Sequence, residues 1–431
     1  MIEVIKKYRK NVLVRNYFKI FSIDVIAKSA NIILLPVFLK LMTQEEYGLY
    51  GYLISIIGTF SLVFNLGLYV AQSKLYHDYS DPVKKGALLF TINVILIVFI
   101  LIFLFGLYAF DIDYKIVLFL FKTPVNYNVY RPFIALGIVV SVYSLMLLNF
   151  FLTSEKIKMV QFYNVSRILL VNGTVLGLLY YLKYDSVGIR LKYSNIIEGI
   201  IIILFLPYYF NAMKLKFDFN IAIKALKISF PILVSAIIGI FINLSDRFFL
   251  EKYGTLKDLS IYNLSASIAS VIPFVFAAFQ NVWLPQFLKE KDVKLNKQRT
   301  KKMVVLLLVF FAITSIAIMI ALKTMLVLNI IDKKYEMALP LLPLVLTTCI
   351  ITSITPMFSN HFIYMEKLYL IIIIGIPFAA IGVMLNIKLV PLYNVYGAAI
   401  SSLIVNTGYL VSYFLLSNFY YKKLVPNTVE K

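Results

Sequence analysis

Long runs of Leu, Ile, Phe and Val alternate along this chain with short breaks that carry Lys, Asp, Glu, Pro and Gly. A helix needs about 20 apolar residues to cross about 30 Å of hydrocarbon. Twelve segments meet that length: 17–41, 49–72, 86–110, 132–152, 160–182, 188–210, 226–249, 260–287, 303–328, 338–364, 368–388 and 396–420. A membrane β-barrel would instead alternate apolar and polar residues in segments of about ten. The runs are longer than that and apolar all round, so the pattern predicts an all-α integral membrane protein of about twelve transmembrane helices. The first run is too long for the apolar core of a cleaved signal and has no small-residue cleavage site after it, so it is read as a span.

Composition agrees with the pattern and narrows it. Of 431 residues, 61% are hydrophobic and 15% charged, against about 45–50% and about 25% in soluble domains. That argues against a soluble enzyme, and the aromatic content argues against disorder. The formal net charge of +21 would suggest nucleic acid on a soluble protein. Placed on the twelve spans it has another origin. With the N-terminus in the cytoplasm, 25 of the 42 Lys and Arg fall on the cytoplasmic side, 14 outside and three within spans. This is the asymmetry of the positive-inside rule, so no nucleic-acid partner is expected. An even number of spans places both termini in the cytoplasm.

The chain also matches itself. At a shift of 212, Thr43-Gln-Glu-Glu-Tyr-Gly-Leu-Tyr50 meets Thr255-Leu-Lys-Asp-Leu-Ser-Ile-Tyr262, and Asn31 meets Asn243. At 211, Glu155-Lys156 meets Glu366-Lys367, and at 209 Gly188 meets Gly397. The matches come in chain order at the same topological places. They predict two parallel six-helix lobes, 1–213 and 214–431, with pseudo-two-fold symmetry along the membrane normal and a cavity between them.

Little chemistry of the enzymatic kind is legible. Cys349 is the sole cysteine, and His77 and His361 are the only histidines. No CxxC, HExxH, Walker or GxGxxG motif occurs, so no metal site or cofactor is expected. The informative residues are polar ones inside the spans, where a charge costs about 2.5–3.5 kcal/mol near the centre. Asp24, Lys28 and Asn31 share one helix face, as do Ser235, Gly239, Asn243 and Asp246, with Arg247 alongside. Gln161, Asn164 and Arg167 step by three, Asn65, Tyr69 and Gln72 form another polar line, and Glu198 lies within the sixth span. One reading is a water-filled cationic cavity. The plainer readings stand beside it: Asp24 and Lys28 as a self-neutralising pair, Arg247 as a snorkelling boundary residue, and Asn and Ser as helix–helix glue. Glu198 reads either as a proton or cation site or as the partner of a base. Gly173 and Gly177 form a GxxxG packing face.

Two stretches resemble a known family. Pro36-Val-Phe-Leu-Lys-Leu-Met-Thr-Gln-Glu-Glu-Tyr-Gly-Leu49 is similar to the first-span exit of the polysaccharide-repeat (O-antigen, Wzx-type) flippases of the multidrug/oligosaccharidyl-lipid/polysaccharide superfamily, with Lys40 where Arg is commoner. Asn243-Leu-Ser-Asp-Arg-Phe-Phe-Leu250 resembles the family's seventh-span Asp-Arg signature. The resemblance implies a bacterial inner-membrane protein that flips an undecaprenyl-pyrophosphate-linked oligosaccharide outward by alternating access. Implied partners are that lipid-linked cargo, membrane lipids, a polysaccharide polymerase and a chain-length regulator. For such a cargo the stripes nominate Lys28, Arg167 and Arg247 for the pyrophosphate, and Asn31, Gln161, Asn164 and Asn243 for sugar. Asp24, Glu198 and Asp246 are the candidates for a coupled proton or cation. Two alternatives remain: a cation-coupled multidrug exporter of the same superfamily, and a membrane-embedded polymerase. The longest outer connection, 111–131, offers only Asp111 and Asp113 for catalysis.

Overall fold

Short polar caps punctuate the apolar runs and set where the helices begin. Thr43 accepts the Glu46 amide while the Glu46 carboxylate takes the Thr43 amide, and Thr255 and Asp258 do the same. Asp81 caps a helix with Pro82 at its first position, and Asp185 and Asp292 cap two more. The computed structural model describes residues 32–123, 125–290, 292–365, 367 and 369–424, and no strand occurs among them. Nine helices among these residues are long and apolar enough to cross a membrane.

In chain order the helices are α1 (Ile32–Leu41), α2 (Gln44–Phe64), α3 (Leu68–Asp78), α4 (Pro82–Ala109), α5 (Ile112–Leu120), α6 (Tyr127–Thr153), α7 (Ile157–Leu182) and α8 (Ser186–Phe210). Then follow α9 (Phe219–Asn243), α10 (Ser245–Tyr253), α11 (Leu256–Ala269), α12 (Val271–Lys289), α13 (Val293–Val327), α14 (Ala338–Tyr364) and α15 (Tyr369–Leu424). Most of the first expected span lies outside the described residues. The protein is therefore an all-α membrane protein of about twelve spans, as the pattern predicts.

The spans are less uniform than the hydropathy suggests. The single run 49–72 is broken at Leu66 and Gly67, both left-handed (φ 55° and 72°). A Cβ on Gly67 would lie 2.7 Å from the Ile232 Cβ and 2.8 Å from the Ser229 carbonyl, so close packing as well as φ demands glycine there. Within α7, residues Arg167–Asn172 form a π-helical segment. At Asn394 (φ 47°, ψ −122°) α15 breaks, and this separates the last two spans. The connection 111–131 is no bare loop. It folds into α5, held by Arg131 on Asp113 (2.5 and 3.0 Å) and by the Tyr52 hydroxyl donating to the Leu120 carbonyl (3.0 Å).

The chain divides into two compact units, Met1–Ile240 and Phe241–Lys431. The division falls inside α9 and not at the 213/214 repeat boundary. The start of α9 packs on the first unit, through Ser229 and Ile232 on Gly67 and through the Asp218 amide on the Thr91 hydroxyl (3.1 Å). The first unit has an aromatic core of Phe150, Phe151, Tyr163, Phe205 and Tyr209. The second packs Phe362, Leu370, Ile374, Val405, Tyr409 and Tyr413. Outward-facing residues such as Leu101, Ile102 and Phe105 on α4 stay exposed, as lipid-facing side chains do.

Candidate functional site

Among the described residues, two charged groups inside the spans stand out, one in each unit. In the second unit, α10 carries Asp246 two residues past the break at Leu244, and the residue is only 5% exposed. Three donors converge on its carboxylate. The Tyr262 hydroxyl of α11 and the Ser402 hydroxyl of α15 each donate to Oδ2 at 2.6 Å. The Asn386 amide donates to Oδ1 at 3.2 Å and to the Ser245 hydroxyl at 3.1 Å. Such charge-assisted bonds are what allow a carboxylate to be buried at all.

The knot is not closed. Asn386 Oδ1 and the Ser401 hydroxyl are buried without a hydrogen-bond partner. Both residues line a cavity of about 10 Å³ together with Asp246, Ser402 and Asn406, room for about one water or a small ion. Asp246 thus combines the two properties a coupling site needs, a buried charge and spare oxygen ligands beside it. Arg247 points elsewhere. Its Nε donates to the Asn263 side chain at 2.8 Å, and its guanidinium lies 5.7 Å from the Tyr262 ring centre. Neighbouring residues of one signature therefore serve different faces of the helix.

In the first unit, Arg167 opens the π-helical segment of α7 and meets Glu198 of α8, with Nη1 and Oε1 3.4 Å apart. Arg167 is about half exposed (43%) and Glu198 less so (19%). Insertion of an extra residue into a helix turn is frequent at functional sites, because it re-aims side chains. The pair is loose and open on one side, so a stronger anion could compete for the guanidinium. One turn earlier, the Tyr163 hydroxyl donates to Ser144 at 2.8 Å and fixes α7 on α6.

The other sequence candidates fall unevenly. Asp24, Lys28 and Asn31 lie outside the described residues, as does the side chain of Asn243. Asn164 is buried, and Gln161 is half-buried near the start of α7. Of the two readings open for Glu198, its contact with Arg167 matches partner to a base. Sequence reasoning passed over Tyr262, Asn386, Ser401 and Ser402 as site residues. Tyr262 was visible as the end of the repeated Thr-to-Tyr stretch. Asn386 and the Ser pair carried a weaker signal: Asn386 stands near Lys388 at the end of its span, and Ser401 and Ser402 share the last span with Asn406 and Thr407. Gln72 and Asn65 of the second polar line are wholly buried. Gln72 is tied to Tyr209 (3.0 Å) and Tyr209 is tied to Asn93 (2.8 Å), which is helix–helix glue. No group of three or more His, Cys, Asp or Glu side chains among the described residues could hold a metal.

Comparison with known proteins places this geometry. Residues 13–291 match the model of a family described as "Polysaccharide biosynthesis protein". No curated protein matches the sequence directly. Among solved structures, the lipid II flippase MurJ in an inward closed conformation is similar at a TM-score of 0.67, with 16% identity over 92% of this chain and 87% of that one. A multidrug resistance MATE family transporter of the MOP superfamily, inward-facing, gives 0.63 with 12% identity, covering 95% and 96%. The Vibrio cholerae MATE transporter VcmN gives 0.62 with 13% identity, covering 96% and 97%. At such identities the likeness is one of fold.

Proposed function

The chain belongs to the polysaccharide biosynthesis protein family, and from that premise we propose that it flips an undecaprenyl-pyrophosphate-linked oligosaccharide repeat unit across the bacterial inner membrane for O-antigen or another surface polysaccharide. It is a multi-pass membrane protein with a transporter fold, and its structural neighbours are transporters and flippases. A pyrophosphate and a sugar chain lose hydration and hydrogen bonds in hydrocarbon, so their passage needs polar groups in place of water. Outward movement of negative charge is favoured by an inside-negative potential, by about 2.3 kcal/mol per charge per 100 mV.

The observation that carries the reading is Arg167, an in-span guanidinium held by Glu198 at 3.4 Å and still half exposed. A pyrophosphate offers more charge and more acceptor oxygens than one carboxylate, so it displaces Glu198 from Arg167 during passage. Lys28 is the second cation proposed for the pyrophosphate, with Arg247 a third. Asn31, Gln161, Asn164 and Asn243 offer amides to sugar hydroxyls. Asp246 takes the coupled proton or cation, supported by its burial and by the unpartnered Asn386 and Ser401 oxygens. Asp24 is a further coupling candidate.

Replacing Arg167 with Ala is expected to abolish surface polysaccharide while the protein stays in the membrane, and deletion is expected to leave lipid-linked repeat units on the cytoplasmic leaflet. Normal surface polymer in both Arg167→Ala and Lys28→Ala cells would remove the cationic assignment. Single-repeat glycolipid outside the membrane in the deletion strain would point to a polymerase. A multidrug exporter would instead extrude cationic dyes from intact cells, driven through Asp246.

A further inference from the structure

A second cationic feature lies away from both charged sites, at the start of α7. The turn from α6 into α7 runs through Glu155, whose backbone is left-handed (φ 56°), and the Lys156 amide bonds back to the Phe151 carbonyl at 2.8 Å. Beyond this turn a cleft of about 690 Å³ opens between the beginning of α7 and the end of α8. Glu155, Lys156, Lys158, Gln161 and Tyr208 supply its polar lining. The distribution of basic residues assigns this end of the helices to the cytoplasm.

Among the described residues neither lysine is in an ion pair, and the side chains of Gln161 and Tyr208 make no hydrogen bond, in contrast to Tyr163, Gln72 and Arg167 of the same unit. The Lys156 ammonium lies 5.0 Å over the buried Phe150 ring, and the residue itself is exposed. Glu155 also lines the cleft, so two ammonium groups face one carboxylate and the net charge is positive. Ile157 and Met159 add apolar surface beside the donors. The volume lies within the usual range of small-molecule sites, about 300–1,000 Å³.

We propose that this cleft binds the phosphate headgroup of an anionic membrane lipid at the cytoplasmic surface. The two ammonium groups, the Gln161 amide and the Tyr208 hydroxyl together offer charge-assisted and neutral donors suited to phosphate oxygens. The apolar side chains accept the start of the lipid's hydrocarbon. The cleft shares Gln161 with the proposed sugar-binding amides but does not include Arg167, which lies six residues beyond Gln161 along α7, about 9 Å at helical rise. Occupancy does not depend on transport of the cargo proposed above.

The test uses the full-length protein in detergent, with retained lipid counted by native mass spectrometry. The probes are phosphatidylglycerol, zwitterionic phosphatidylcholine and farnesyl pyrophosphate. Wild type is expected to retain phosphatidylglycerol over phosphatidylcholine. Each lysine near an anionic headgroup is worth roughly fivefold, so Lys156→Gln/Lys158→Gln is expected to retain about 25-fold less, and Lys156→Arg/Lys158→Arg to behave as wild type. Should the double Gln variant fail to fold, Tyr208→Phe carries the test, with an expected loss of about threefold. Displacement of phosphatidylglycerol by substoichiometric farnesyl pyrophosphate would identify a pyrophosphate lipid as the preferred occupant. Failure to displace would identify bulk phospholipid, and both results support a lipid-phosphate site. Equal retention of phosphatidylcholine by wild type, or undiminished phosphatidylglycerol in a folded double Gln variant, overturns it. Arg167→Ala separates this site from the flipping function, because it is expected to lose transport and keep its lipid.

Discussion

The same place in the two sequence repeats holds opposite chemistry. Asp246, Asn386 and Ser402 meet in the second unit around a cavity. Their repeat equivalents, at shifts of 212, 211 and 209, are Leu34, Val175 and Tyr193. Those three residues also meet, in an apolar cluster with Phe38, Leu179 and Ile189. The reverse holds for the other charged site. Arg167 and Glu198 correspond to Phe378 and Thr407. Phe378 packs on Tyr409 with ring centres 5.0 Å apart, and Thr407 bonds only to its own helix at Leu403 (2.7 Å). The internal sequence match predicts one scaffold used twice. The two units hold their charge differently, a partly exposed ion pair in the first and a buried carboxylate in the second. On this basis we propose a division of labour, in which the first unit handles an anionic cargo and the second a coupling ion.

The sharpest way to break that comparison is to move the charge. Leu34→Asp places a carboxylate where no Asn or Ser donor waits, so it is expected to cost about 3 kcal/mol or more, seen as loss of folded protein on size-exclusion chromatography. Adding Val175→Asn and Tyr193→Ser to it is expected to recover part of the yield, because the second unit's donors are then rebuilt. Recovery no better than with Val175→Ala and Tyr193→Ala would mean the equivalence is only one of sequence. Next in size is Asp246→Asn, which keeps the shape and removes the charge. Transport is expected to fall on the order of 10²-fold, about 2.7 kcal/mol in barrier, and to lose its dependence on the ion or pH gradient. Unchanged gradient dependence would place coupling elsewhere.

Smaller effects refine the first unit. Arg167 and Glu198 are partly exposed and 3.4 Å apart, so a double-mutant cycle on thermal stability is expected to give a coupling of about 0.5 kcal/mol. Transport is expected to separate the partners, with Arg167→Ala inactive and Glu198→Gln partly active. The smallest predicted difference is none at all. Thr43→Ala and Thr255→Ala each remove a capping box and are each expected to cost about 1 kcal/mol, equally in the two units.

Those caps mark how far the sequence could be read. Thr43 and Thr255 align by eye, and the structure gives both the same reciprocal bonds, with Glu46 and Asp258 at the third position. Gly188 and Gly397 also align for a structural reason. A Cβ on the first would strike the Asp185 carboxylate, and one on the second the Leu389 carbonyl. Periodicity found Asp246 because a buried charge disturbs an apolar run. It could not find the partners Asn386 and Ser402, which arrive from 140 and 156 residues away. The break at Leu66 and Gly67 and the π-segment at Arg167 leave hydropathy unchanged, since both preserve an apolar surface while altering only the backbone. The helix α5 was hidden because its fold depends on Arg131 and Asp113 meeting across a connection.

The flippase reading is tested most directly with purified protein in liposomes that carry an undecaprenyl-pyrophosphate-linked oligosaccharide on one leaflet. A membrane-impermeant glycosidase added on the opposite side reports each molecule that crosses. Wild type is expected to bring the sugar into reach of the enzyme, and Arg167→Ala, folded and inserted, to leave it protected at the rate of empty liposomes. Sugar that becomes accessible equally fast with Arg167→Ala and wild type, or not at all with wild type in either leaflet orientation, would contradict the account.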